Sequence, residues 1–303
     1  MIHDVIKCRL CPRNCGADRQ NGKQGFCGQT GKVKIARAAL HMWEEPCISG
    51  PEGSGTIFFS GCSLGCKFCQ NAEIAARNKG VEIPVEDLAQ WMIRLQNQHA
   101  NNINLVTPTH FVPQVVEAVG MARDAGLRIP IVYNTSGYET PETIQMLKGA
   151  VDIYLPDFKY MDSRLAKEYS NAPDYPEWAK QALKEMLLQT KGENCFNEQG
   201  IMQKGIIVRH LILPGHTKDS MAVLKYLYET YGDQIYISIM NQYTPMPAVS
   251  DDPELCRKVT KREYNRVVDY AIKLGISQAF IQEGKTAQES FIPPFEESIK
   301  QLE

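Results

Sequence analysis

The chain has 303 residues, 43% of them hydrophobic, and a formal net charge of −2. That size suits one large domain, or one domain with a small appendage. Near-neutral charge without a Lys/Arg cluster excludes the electrostatic footprint of a nucleic-acid binder, and no apolar run approaches the roughly 20 residues of a membrane span.

Four of the ten cysteines come early, as Cys8-x2-Cys11-x3-Cys15-x11-Cys27. Four thiolates suit either a structural zinc or an auxiliary iron–sulfur cluster. Either metal would add folding energy to a segment with too few apolar residues for a core. Val33–Leu40 alternates as a strand, and the Gly- and Pro-rich stretch 44–55 reads as loop. Beyond it, strand-like runs at Thr56–Ser60, Ile103–Thr107, Ile129–Tyr133, Val151–Leu155, Ile206–Leu213, Gln234–Met240 and Gln278–Ile281 are predicted. Helical patterns lie between them at Val85–Gln98, Phe111–Ala125, Thr140–Leu147, Pro176–Gln189, Lys218–Tyr231 and Thr260–Leu274. A hairpin with Phe196–Gly200 at its turn precedes the fifth strand. This alternation means βαβ units around a parallel sheet. The expected fold is α/β, a partial (β/α)6-type barrel over residues 51–303, preceded by a small Cys-rich metal-binding region over 1–50.

Cys62, Cys66 and Cys69 form a CxxxCxxC run directly after the Thr56–Ser60 strand. They therefore fall on a loop at a strand's C-terminal end, where α/β barrels carry their chemistry. Three thiolates can hold three irons of a [4Fe–4S] cube; a ferredoxin supplies a fourth. One iron is then left for a small molecule, as a catalytic zinc site keeps one position open. Zinc motifs usually come as C-x2-C pairs, unlike this run. Cys47, Cys195 and Cys256 read as ordinary residues.

The run Gly61-Cys-Ser-Leu-Gly-Cys-Lys-Phe-Cys-Gln-Asn71 resembles the radical S-adenosylmethionine (SAM) superfamily. The resemblance implies that the open iron chelates SAM, that Phe68 lies near the adenine, and that one electron cleaves SAM to methionine and a 5′-deoxyadenosyl radical that abstracts hydrogen. Tyr133-Asn-Thr-Ser-Gly-Tyr138, Leu155-Pro-Asp-Phe-Lys-Tyr160 and Val208-Arg-His-Leu-Ile-Leu-Pro-Gly215 are similar to the pyruvate formate-lyase activating enzyme branch, in particular a subgroup with a Cys-rich N-terminus. The resemblance runs from about Thr56 to Glu283. It implies an oxidoreductase reduced by flavodoxin or ferredoxin, with a glycyl radical enzyme as protein substrate.

Polar residues gather at the predicted strand ends, including Asn134, Ser136, Asp157, Lys159, Arg209, His210, Asn241, Gln242 and the run Gln282–Lys285. By resemblance, Asn134, Ser136, Asp157, Lys159 and Arg209 surround SAM, with Lys159 at its carboxylate or ribose. Asn241 and Gln242 meet its methionyl or ribose end. Asn134 and Asp157 match acidic positions that hold a monovalent cation; Asn134 is neutral. Thr107-Pro-Thr-His110 stands where the superfamily carries Gly-Gly-Glu. His110, when neutral, could accept from the SAM amine; backbone carbonyls near Thr107 could do so instead, leaving His110 as a cap. Two other functions stay open: a radical SAM enzyme for a small molecule or peptide, and a non-catalytic iron–sulfur electron carrier. Ten cysteines at these spacings point to metal and not to disulfides, so a reducing cytoplasm is expected, and Met1–Lys7 has no signal-peptide layout. A cluster with an open iron is oxygen-labile, which suits an anaerobic or microaerobic cell.

Overall fold

The computed structural model describes residues 7–75, 79–282, 295–300 and 302. In chain order its elements are β1 (Val33–His41), α1 (Pro46–Ser49), β2 (Ser54–Phe59), α2 (Ala72–Ala75), β3 (Val81–Ile83), α3 (Val85–Asn97), β4 (Ile103–Val106), α4 (Val112–Asp124), β5 (Ile131–Thr135), α5 (Pro141–Met146), β6 (Ile153–Pro156), α6 (Ser163–Ser170), α7 (Tyr175–Thr190), β7 (Cys195–Phe196), β8 (Met202–Leu211), α8 (Thr217–Tyr231), β9 (Tyr236–Met240), α9 (Lys261–Leu274), β10 (Ala279–Ile281) and α10 (Phe295–Lys300). The sheet order is β10-β9-β8-β6-β5-β4-β2-β1-β3, with β7 paired to β8. Every pair from β2 to β10 along this order is parallel. Helices cover its outer face, as parallel strands require. The result is the expected α/β partial barrel.

The alternation of each strand sorts apolar from polar along the inner face. Val132, Ile153, Leu155 and Ile207 point inward and form one cluster with Cys47, Ile48 and Met202. Two residues further on, the same inward columns carry Asn134, Asp157 and Arg209. The apolar half fills the barrel's interior and the polar half lines its mouth. Burying each such aliphatic side chain contributes roughly 1.5–3 kcal/mol.

Several boundaries differ from the sequence expectation, each for a local reason. Helix α1 lies within the stretch expected as loop, with Pro46 at its first position, where the missing N–H costs nothing. Strand β1 pairs antiparallel with β2, His41 opposite Ser54, so the sheet crosses residue 50. β5 begins after Pro130, which has no N–H to give the ladder. β9 begins after a 3₁₀ turn at Gly232–Gln234. β3, only three residues long, is too short to show a period. The hairpin before β8 forms as expected.

Candidate functional site

The chain leaves β2 through Ser60 and Gly61. Gly61 has φ +83°, and a Cβ there would sit 2.6 Å from the Cys27 carbonyl oxygen. Only glycine lets the backbone turn this tightly against the N-terminal region. The loop that follows is pinned by two contacts. The Lys67 N–H donates to the Tyr169 carbonyl at 2.8 Å, and the Ser170 hydroxyl donates to Cys66 Sγ at 3.1 Å. Cys62, Cys66 and Cys69 line a cavity of about 430 Å³ at the barrel mouth. Burial pushes the Cys69 thiol up to about 12. Burial also raises Cys66, against the pull of the Lys159 ammonium. Neutral thiols are therefore preferred until a metal supplies charge to hold thiolates. Three sulfur donors on one loop fit a cube with one open corner. Among the described residues no three Cys, His, Asp or Glu side chains converge as a single metal ion would need; a cube spreads its thiolates over separate corners.

The wall facing the loop carries a compensated charge network. Lys159 Nζ lies 2.7 Å from Asp157 Oδ2, and Arg209 Nε lies 3.0 Å from Asp157 Oδ1. Arg209 also donates to Asn134 Oδ1 at 2.5 Å and to Glu44 Oε2 at 3.1 Å. Burial alone would raise Asp157, but Lys159 and Arg209 hold it below the ordinary carboxylate value. Asp157 in turn keeps Lys159 and Arg209 protonated despite burial. The two cations face Asp157, Glu44 and the buried Glu45, and the lysine and arginine donors remain at the cavity surface.

Of the residues singled out by sequence, the structure brings Phe68, Asn134, Ser136, Asp157, Lys159, Arg209 and Gln242 to the cavity. Phe68 is held among the rings of Tyr160, Tyr169 and Tyr243. His110 and Asn241 are not among the cavity-lining residues. The His110 Nε2 lies 2.7 Å from the Ser60 carbonyl oxygen, which makes it the protonated nitrogen, and burial with nearby Arg19 pushes the ring down to about 3. His110 is thus neutral, and its bond secures the exit of β2. His210 likewise meets the Phe158 carbonyl, at 2.7 Å. Glu283, Gly284 and Lys285 lie outside the described residues.

Thr107 does reach the cavity with φ +58°, a left-handed conformation uncommon for a β-branched residue. Sequence reading passed over Glu44, which sits in a Gly/Pro-rich stretch with no periodic signal. It also passed over Tyr175. The Tyr175 hydroxyl accepts from the Lys159 N–H at 2.9 Å and lies 2.9 and 3.0 Å from the carbonyl oxygens of Ser136 and Asp157. It ties the ends of β5 and β6 together.

The N-terminal cysteines sit on turns above the same end of the barrel. Cys8, Cys11 and Cys27 are buried and Cys15 is exposed. A Cβ on Gly25 would meet Cys15 Sγ at 3.1 Å and Cys27 Sγ at 3.7 Å, so these two sulfurs flank that glycine. Burial pushes Cys11 up to about 12 and raises Cys27. Cys47 is a core residue, and Cys195 and Cys256 are exposed.

Comparisons with known proteins bear on the family and the fold. The chain is 26% identical to an uncharacterized protein of Methanocaldococcus jannaschii over 89% of this chain and 75% of that one. The FeFe-hydrogenase maturase HydG of Carboxydothermus hydrogenoformans matches at a TM-score of 0.52 and 14% identity, over 76% of this chain and 54% of that one. Methylornithine synthase (PylB) matches at 0.51 and 11%, over 73% and 60%. At such identities the likeness to the solved structures is one of fold, and the chain spans only about half the length of several of them. Among the described residues no helix is long and apolar enough to cross a membrane. Residues 56–227, from the strand that carries the cysteine loop into α8, match the radical SAM superfamily. The chain belongs to that superfamily, whose members use a [4Fe–4S] cluster and SAM.

Proposed function

We propose that this protein is a radical SAM enzyme of the pyruvate formate-lyase activating type, removing a hydrogen atom from a glycine in a peptide segment presented at the barrel mouth. Cys62, Cys66 and Cys69 would hold the cluster. When bound, the cluster supplies the electron that cleaves SAM, and the nucleoside fragment takes hydrogen from the substrate carbon. The chain's own residues orient and shield. Lys159 offers its ammonium to the SAM carboxylate, and Phe68 forms an apolar face for the adenine. The Glu44–Arg209–Asp157–Lys159 network presents its donors to the cavity.

The observation that supports a peptide substrate is the cavity itself. Its volume of about 430 Å³ lies at the small end for ligand sites and must serve both cluster and SAM. A peptide segment would then meet the nucleoside at the open mouth and not inside the barrel. Trp43 lines this cavity while 57% exposed, beside Met42 at 44%. Exposed Trp and Met side chains at a site's rim suit contact with a chain segment. A low-potential flavodoxin or ferredoxin in a reducing cytoplasm would be the electron donor.

The N-terminal cysteines would hold a second metal, zinc or an auxiliary cluster; a zinc ion would have to draw the sulfurs closer together than they stand here. Arg19 supports this. It is 1% exposed, its guanidinium reaches Cys8 Sγ at 3.8 Å, and its other acceptors are the carbonyls of Gln29, Thr30 and His110. No carboxylate forms an ion pair with it among the described residues. A buried cation needs a compensating anion, and a thiolate–metal centre would provide one.

Anaerobic reconstitution with iron and sulfide, then reduction with SAM, should yield 5′-deoxyadenosine, and Cys66→Ala should abolish it. Deuterium at the glycine Cα of a substrate peptide should appear in that product. SAM cleavage without such transfer from any peptide would turn the assignment towards a small-molecule substrate. No cleavage at all would leave an electron carrier. Metal analysis of the Cys62/Cys66/Cys69 triple-alanine variant decides the N-terminal centre: iron and sulfide mean a cluster, zinc a structural ion, and neither removes the site.

A further inference from the structure

We infer that Arg13, in the N-terminal cysteine region, is a positioning residue for the catalytic cluster loop and sets the electronic environment of Cys66. Its role rests on the assignment of Cys62, Cys66 and Cys69 as cluster ligands. The side chain leaves the turn between Cys11 and Cys15 and crosses to the barrel. Its Nε donates to the Ser63 carbonyl at 2.9 Å, and its two terminal nitrogens donate to the carbonyls of Leu64 at 3.0 Å, Ser170 at 2.9 Å and Asn171 at 2.5 Å. Ser63 and Leu64 lie between Cys62 and Cys66. Ser170 is the residue whose hydroxyl donates to Cys66 Sγ. One guanidinium therefore grips both sides of that sulfur: the loop that carries it and the residue that hydrogen-bonds it.

Arginine chemistry suits this task. The planar fork spreads five donors over several acceptors in fixed directions, which an ammonium cannot do. Ser170 and Asn171 end α6, so the cation also caps the negative end of a helix and satisfies carbonyls with no helical partner. The fork is held from behind by aromatic faces, with its central carbon 4.1 Å from the Phe26 ring centre and 5.3 Å from that of Tyr138. Gly61, pressed on the Cys27 carbonyl oxygen, closes the same interface just before Cys62.

A cluster gains negative charge on reduction. A nearby cation and a hydrogen bond to a ligating sulfur both favour the reduced form and raise its potential. The N-terminal region thus acts on the catalytic centre through Arg13.

The test compares anaerobically reconstituted wild type, Arg13→Gln, Arg13→Lys and Ser170→Ala. Each is measured for iron and sulfide per chain, for the EPR signature of the reduced cluster that SAM perturbs, and for the midpoint potential of that signal. Arg13→Gln should shift the midpoint to more negative values and alter the EPR signature. Arg13→Lys, which keeps the charge but not the fork, should shift it part of the way. Ser170→Ala should also lower the midpoint while retaining iron. A full complement of iron and sulfide in Arg13→Gln, with wild-type midpoint and signature, overturns the inference. If that variant does not fold by circular dichroism, unchanged midpoints in both Arg13→Lys and Ser170→Ala overturn it. A different failure marks the underlying assignment: a cluster signal that SAM perturbs in the wild type and that survives Cys66→Ala, with Cys8, Cys11, Cys15 and Cys27 replaced by alanine, would mean that the loop does not hold it.

Discussion

Arg209 on β8 bonds Glu44 at 3.1 Å across 165 residues of sequence. Glu44 enters the barrel from the segment between β1 and α1, while Arg209 stands in the inward column of β8. Their meeting joins the interior plug at Cys47 and Ile48 to the polar mouth. Glu44 Oε1 also accepts from Asn104 Nδ2 at 2.9 Å, so its carboxylate is satisfied from two strands.

Replacing Arg209 by Met should leave Glu44 and Asp157 buried without their shared cation. Breaking a buried pair in this way costs about 3–5 kcal/mol. Urea unfolding of the metal-free protein should show that loss as a lower midpoint at constant slope. A change below about 1 kcal/mol, the scale of a surface pair, would mean that the network is not needed to hold these carboxylates.

Lys159→Met should weaken SAM binding while sparing the cluster. Losing a hydrogen bond to a charged group costs about 1.5–3 kcal/mol, or roughly tenfold to hundredfold in Kd. Calorimetric titration of SAM into the reconstituted variant reads this directly. Unchanged affinity would remove Lys159 from the SAM contacts.

Tyr175→Phe removes one hydroxyl from the junction of β5 and β6 and leaves the Lys159 N–H without its partner. The buried donor should cost about 1–3 kcal/mol of stability, measured by unfolding. Because the same hydroxyl aligns Ser136 and Asp157, SAM affinity should fall as well. A stability loss with intact affinity would limit Tyr175 to holding the fold.

Glu139 offers a pH dependence with a defined sign. It is fully buried, accepts from Thr109 Oγ1 at 2.7 Å and pairs with Thr135 Oγ1. Burial raises it from 4.5 to about 7, while the Thr135 and Thr109 hydroxyls pull it down. The folded chain therefore binds the proton more tightly than the unfolded one. Its stabilising contribution is full below pH 4.5 and is lost as pH rises through about 7, a swing of about 3 kcal/mol. Glu139→Gln cannot ionise. The stability difference between variant and wild type should therefore grow in the variant's favour from pH 4.5 to 7 and then level off. A difference that stays flat over this range would show that Glu139 does not titrate there.

The sequence alone determined the parts of this protein that local chemistry specifies. Three cysteines at CxxxCxxC spacing lie within eight residues, directly after an apolar strand-like run. The apolar runs and their helical spacers made an α/β barrel legible before any coordinates, because period-2 and period-3.6 patterns are written residue by residue. The inward positions of Asp157 and Arg209 could be read from their place in apolar strands. Tertiary structure alone decided the rest. The sequence left His110 open as a ligand contact or a cap; in the fold its Nε2 faces the Ser60 carbonyl. Glu44, Tyr175 and Arg13 gave no local signal. Their importance lies in contacts across tens to hundreds of residues, and a long-range partner leaves no mark on the spacing of its neighbours.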